Sequence, residues 1–105
     1  MKYGLPDHTV AQICAVLAQY PQVDRAVLYG SRAKGNFKPG SDIDLTLYGA
    51  DLTQKLCSSM AEALDDLLLP YSIDLSVFAD LKHPELEAHI QRVGVVFFER
   101  DGRDL

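Results

Sequence analysis

Hydrophobic patterning runs in the order α-β-β-α-β-α-β, which predicts an α/β (α+β) protein: a mixed sheet of about four strands with helices packed on one face. Two observations carry this. Two strands follow one another with no regular helix between them, which excludes a regularly alternating, doubly wound parallel sheet. The 105 residues suffice for one domain and not for two, and no repeat, low-complexity tract or Ser/Pro-rich linker divides them. Residues 1–105 are therefore read as a single domain.

The first helix is predicted over about 6–19. Val10, Ile13, Cys14, Leu17 and Tyr20 recur three and four apart, as one helical face requires. Pro6 suits a first helical position and Pro21 ends the run. Arg25-Ala-Val-Leu-Tyr-Gly30 is a short apolar run closed by glycine, hence a strand. Residues 31–41 hold Gly35, Pro39 and Gly40 and read as a loop carrying Arg32, Lys34 and Lys38. Asp42-Ile-Asp-Leu-Thr-Leu-Tyr48 is the second strand.

Asp51 with Gln54 makes a capping-box pattern that opens a helix to about 68, stopped by Pro70. Its inner face is Leu52, Leu56, Met60, Leu64 and Leu67. Ser72-Ile-Asp-Leu-Ser-Val-Phe78 alternates strictly and is the third strand. Pro84 opens a last helix, with Glu85 and Glu87 in its first turn, Leu86, Ile90 and Val93 facing inward, and Gly94 as C-terminal cap. Val95-Val-Phe-Phe98 is the last strand, apolar on both faces. A loose tail is expected over 98–105, above all 101–105.

Composition narrows the function classes. The chain is 48% hydrophobic and 24% charged, which is globular composition. Ten Lys and Arg against fifteen Asp and Glu leave a net charge of −5, which disfavours sequence-independent nucleic-acid binding. No apolar run approaches the roughly 18 residues of a membrane span, and the N-terminus has no signal-peptide pattern. Cys14 and Cys57 lack metal-type spacing and read as buried hydrophobes. The expected location is cytoplasmic.

Aspartate is depleted in strands, yet Asp42 and Asp44 stand two apart at the head of one. Period two places both on one face and Ile43 and Leu45 on the other. Asp74 repeats the anomaly in the third strand, where Ile73, Leu75 and Val77 take the core face. If these strands are neighbours, three carboxylates share one sheet face. Hard oxygen ligands of this kind suit Mg²⁺ or Mn²⁺, and three of them can hold two ions.

The first strand runs straight into Gly30-Ser-Arg-Ala-Lys-Gly35. Gly30 lets a phosphate approach the main chain, Ser31 offers a hydroxyl and an amide, and Arg32 and Lys34 supply charge. A P-loop is excluded because Asn36 and Phe37 stand where its Lys and hydroxyl belong. Asp42-Ile-Asp-Leu-Thr46 also matches the haloacid-dehalogenase motif literally, but there the aspartates end an apolar strand and here they open one.

Gly30-Ser31, a loop, Ser41-Asp-Ile-Asp-Leu45 and a later strand aspartate, Asp74, together resemble the nucleotidyltransferase superfamily typified by DNA polymerase β, and in particular the minimal nucleotidyltransferases of bacteria and archaea. The motifs cover 30–45 and 74, and the element order fits nearly the whole chain. Lys34 stands where relatives often carry Arg; it keeps the charge and lacks the bidentate fork.

The resemblance implies a polymerase β palm-like fold and transfer of a nucleoside monophosphate, usually AMP from ATP, to an acceptor hydroxyl. It implies that Asp42, Asp44 and Asp74 hold two Mg²⁺ ions (or Mn²⁺), and that Asp74 takes the proton. It implies that Gly30 and Ser31 bind the β- and γ-phosphates, with Arg32, Lys34 and Ser41 assisting. It also implies a HEPN-family helical partner, either modified by this chain or masked by it without chemistry. A chain this short has little room for an acceptor-binding domain of its own, which agrees with an acceptor on a partner. A homo-oligomer is compatible with the sequence. His8, His83 and His89 are scattered, share no helical face, and are set aside.

Overall fold

The computed structural model describes residues 1–100. They form α1 (Asp7–Ala18), β1 (Arg25–Tyr29), α2 (Ser31–Lys34), β2 (Ile43–Tyr48), α3 (Gln54–Asp65), β3 (Ile73–Val77), a 3₁₀ turn (Phe78–Asp80), α4 (Pro84–Val93) and β4 (Val95–Glu99). The strands make one mixed sheet in the order β3-β2-β1-β4. β1 pairs antiparallel with β2 and β4, and β2 pairs parallel with β3. A parallel neighbour needs a crossover, and α3 supplies it between β2 and β3.

The main core lies on one sheet face. Ala26 and Leu28 of β1 and Ile43, Leu45 and Leu47 of β2 pack against Ile13 and Leu17 of α1 and Met60 and Leu64 of α3. The expectation that every helix would sit on this face needs correction. α4 packs on the opposite face, where Ile90 meets Val27 and Tyr29 in a second cluster. The reason is legible in β1. Residues 26–29 are apolar without alternation and all four are buried, so this central strand needs cover on both sides.

Local chemistry shifts several boundaries. Pro6 is the N-cap of α1 rather than its first residue, and the buried stripe is Thr9, Ile13, Val16 and Leu17, with Val10 and Cys14 half-buried beside it. Thr53, not Asp51, caps α3: its Oγ1 accepts from the Leu56 amide at 3.1 Å. That helix ends at Asp65, before Pro70, and the chain turns through Leu68 at φ 56°. Pro84 opens α4 as expected, but His83 caps it, Nδ1 accepting from the Leu86 amide at 3.1 Å. Gly94 follows the helix in an extended conformation; a Cβ there would strike the Ile90 carbonyl and Val27. Residues 31–34, expected as loop, form the short helix α2.

The C-terminal expectation also changes. β4 extends through Glu99, and Arg100 donates to the carbonyls of Val23 at 3.0 Å and Tyr20 at 2.8 Å, so 98–100 are anchored. The rest of the expected tail, 101–105, lies outside the described residues. Cys14 and Cys57 are free thiols whose pKa values burial pushes up, as inert core residues require. Among the described residues no helix is long and apolar enough to cross a membrane.

Leu45 is fully buried and Leu68 is 88% exposed. In urea denaturation Leu45→Ala is expected to cost about 2–5 kcal/mol. Leu68→Ser is expected to stay within about 0.5 kcal/mol of the parent.

Candidate active site

The inner residues of β2 fix what its outer residues do. With Ile43, Leu45 and Leu47 in the core, Asp44 and Thr46 must face the other way. Parallel pairing sets Asp44 opposite Asp74 and Thr46 opposite Ser76. On the other flank Tyr29 of β1 is the partner of Asp44. A row of three residues, Tyr29, Asp44 and Asp74, therefore crosses the sheet. Beside it the Ser76 hydroxyl donates to Thr46 Oγ1 at 3.0 Å.

Asp44 is half-buried, and Asp42 and Asp74 are exposed. Burial, then the charges of Asp74 and Asp42, push the Asp44 pKa above the ordinary carboxylate value; His89 acts in the opposite sense. Burial first, then the charges of Asp74 and Asp44, raise the Tyr29 phenol. These shifts mean that anionic charge is gathered here at a cost to the folded state.

The glycine loop lies directly over this row. Gly30 has φ 77° and ψ −156°, a region open essentially to glycine alone. A Cβ at Gly30 would collide with Asp44 Oδ2. Glycine thus serves two needs at once, the turn and the space for the carboxylate. Ser31 begins α2, and Gly35 ends it in the left-handed conformation at φ 87°. Lys34 is exposed on this turn. The Ser41 hydroxyl accepts from the Lys38 amide at 2.8 Å, which shapes the turn just before Asp42.

Arg32 corrects the expectation that it offers charge to a polyphosphate. It is 2% exposed. Its Nε and Nη2 donate to the Ser41 carbonyl at 3.1 and 2.9 Å, Nη2 also to Pro39 O at 3.2 Å, and Nη1 to Tyr3 O at 2.9 Å. The rings of Phe37 and Tyr71 each lie 5.1 Å from its guanidinium carbon. The side chain ties the N-terminal turn to the loop that delivers Asp42. Lys34 is left as the exposed cation of this turn.

His89 has no role legible in the sequence, and the fold brings it to the site. α4 places its ring edge-on to Tyr29, at 6.4 Å between centroids and 82° between planes. The available signal was its position next to Ile90, which faces the sheet. Comparing the histidines only with one another missed it.

Among the described residues no three His, Cys, Asp or Glu side chains close on one point as a finished metal cage. Mg²⁺ does not need one, because it takes one or two carboxylates and completes its shell with water and phosphate. The open rim of Asp42, Asp44 and Asp74 fits that demand in donor type and in uncompensated charge.

The family model described as Polymerase beta, Nucleotidyltransferase matches residues 11–103. The chain belongs to the polymerase β nucleotidyltransferase family. Solved nucleotidyltransferase-fold chains agree. One, in a toxin–antitoxin crystal structure with AMP-PNP, has a TM-score of 0.69 at 21% identity, over 95% of this chain and 78% of that one. A second, in the complex of tri-AMPylated Shewanella oneidensis HEPN toxin with MNT antitoxin, has a TM-score of 0.66 at 20% identity, over 92% and 75%. A third, in the MntA–HepT toxin–antitoxin structure, has a TM-score of 0.67 at 20% identity, over 94% and 77%. At these identities the likeness is one of fold. No curated protein matches the chain.

Two outcomes test this geometry without any substrate. Asp44 binds its proton more tightly in the folded than in the unfolded chain. The folded state therefore holds more protons just above the ordinary carboxylate value of 3.8, and stability falls as pH rises through that window. Asp44→Asn removes the effect: at pH 7 it is expected to resist urea better than the parent, and the gap should shrink below pH 3.8. Arg32→Met removes the donor of four part-buried hydrogen bonds and is expected to cost about 2 kcal/mol or more in thermal denaturation.

Proposed function

We propose that this chain transfers AMP from ATP, with Mg²⁺, to a hydroxyl on a HEPN-class partner protein. The observation that carries the reading is the pairing of Asp44 with Asp74 on adjacent parallel strands, beneath the Gly30 turn. It is supported by two complexes that share the fold, one holding AMP-PNP and one containing an AMPylated HEPN toxin.

Each residue has a role that its position allows. Asp42, Asp44 and Asp74 are the oxygen ligands for two Mg²⁺ ions, with Mn²⁺ as substitute. When bound, such ions neutralise triphosphate charge and lower the pKa of the attacking hydroxyl. Gly30 and Ser31 present their main-chain amides and a hydroxyl to the β- and γ-phosphates. Lys34 adds charge from the exposed side of α2, and Ser41 holds the turn before Asp42. Arg32 serves through the loop it clamps. The acceptor oxygen attacks the α-phosphorus, the bond to the bridging oxygen breaks, and pyrophosphate leaves. Asp74, on the exposed rim, receives the acceptor proton. Positioning and charge neutralisation supply most of the rate.

Masking of the partner without chemistry is the competing reading. The full set of acids beside the glycine turn, with Asp44 held at a raised pKa by burial and its charged neighbours, supports catalysis, since masking alone has no use for such a carboxylate.

The test is incubation with ATP labelled at the α-phosphate and Mg²⁺, with and without the product of the neighbouring gene. Label is expected on the partner, with release of pyrophosphate. Asp44→Asn and Asp74→Asn are expected to reduce transfer at least 100-fold, on the order of an electrostatic catalytic group, while far-UV circular dichroism stays unchanged. Tight complex formation with neither label nor pyrophosphate would replace this reading with masking.

A further inference from the structure

We propose that His89 is a substrate-contacting residue, whose imidazole N–H donates a hydrogen bond to a phosphate oxygen of the bound nucleoside triphosphate. The inference rests on the nucleotide reading above and extends it to an element that the glycine and aspartate motifs leave out.

Four observations converge on it. First, α4 lies on the carboxylate side of the sheet, seated there by Ile90 against Val27. Second, His89 precedes Ile90 and sets its ring edge-on to Tyr29, the cross-strand partner of Asp44. It therefore stands at one end of the row that runs from Tyr29 through Asp44 to Asp74. Third, Gly30 follows Tyr29 directly, so phosphates received by the Gly30 turn enter the corner that His89 borders. Fourth, the ring is half-buried, yet among the described residues neither nitrogen has a hydrogen-bond partner. Packing holds the ring in place while its donor stays free. The imidazole is also close enough to Asp44 to offset part of that carboxylate's charge. In a corner dominated by acids, one N–H donor on a rigid helix is what an anionic substrate needs in order to approach.

The experiment is calorimetric titration of the intact chain with AMP-PNP in Mg²⁺, for the parent, His89→Ala, His89→Gln, His89→Phe and, as control, His8→Ala on the exposed side of α1. His89→Ala is expected to weaken binding about fivefold to tenfold, the loss of one hydrogen bond. His89→Gln, which keeps a donor, is expected to recover most of it. His89→Phe keeps a ring against Tyr29 without a donor and is expected to bind as weakly as the alanine variant. It carries the comparison with glutamine if alanine lowers the melting temperature. His8→Ala should match the parent. Equal binding by parent and His89→Ala, or glutamine no better than phenylalanine, overturns the proposal and leaves the transferase reading standing. A parent chain that binds no AMP-PNP overturns both.

Discussion

Two carboxylates on neighbouring strands repel each other, and much of this molecule serves to keep Asp44 and Asp74 abreast. The parallel register does so directly. It is held by Ile43, Leu45 and Leu47, all fully buried, and by Val77 across the pairing. A slip of one residue would turn those side chains to solvent and the acids into the core. The apolar face therefore enforces the polar one. The raised Asp44 pKa records burial first and this repulsion second.

The loop above the acids is organised by a buried cation. Arg32 gives its donors to Tyr3, Pro39 and Ser41, and thereby joins the N-terminus, the loop and the start of β2. Arg32 and Lys34 are two apart on one helical turn, so they point about 200° from each other. One must face inward if the other faces out. That divides the labour between a buried clamp and an exposed charge, and it makes the two residues non-interchangeable.

α4 gives the acidic face a wall. Because β1 is apolar on both sides, a helix must cover Val27 and Tyr29. That cover carries His89 to the edge of the carboxylate row as a consequence of burial. A requirement of the core thus shapes the site, and the site residue that came with it lies outside any local motif.

Local rules were enough for much of this protein. Period two gave the outward side of Asp42, Asp44 and Asp74, and the glycine turn with its serine identified the kind of chemistry. Strand and helix order, α2 apart, followed from local apolar runs and their glycine and proline stops. The fold alone decided that β2 and β3 are neighbours in parallel, that Arg32 turns inward, that Thr53 rather than Asp51 caps α3, and that α4 crosses to the acidic side. The physical reason is range. Side-chain alternation is set by a residue and its next neighbours, whereas pairing, burial of a cation and the side chosen by a helix depend on contacts between segments far apart in the chain.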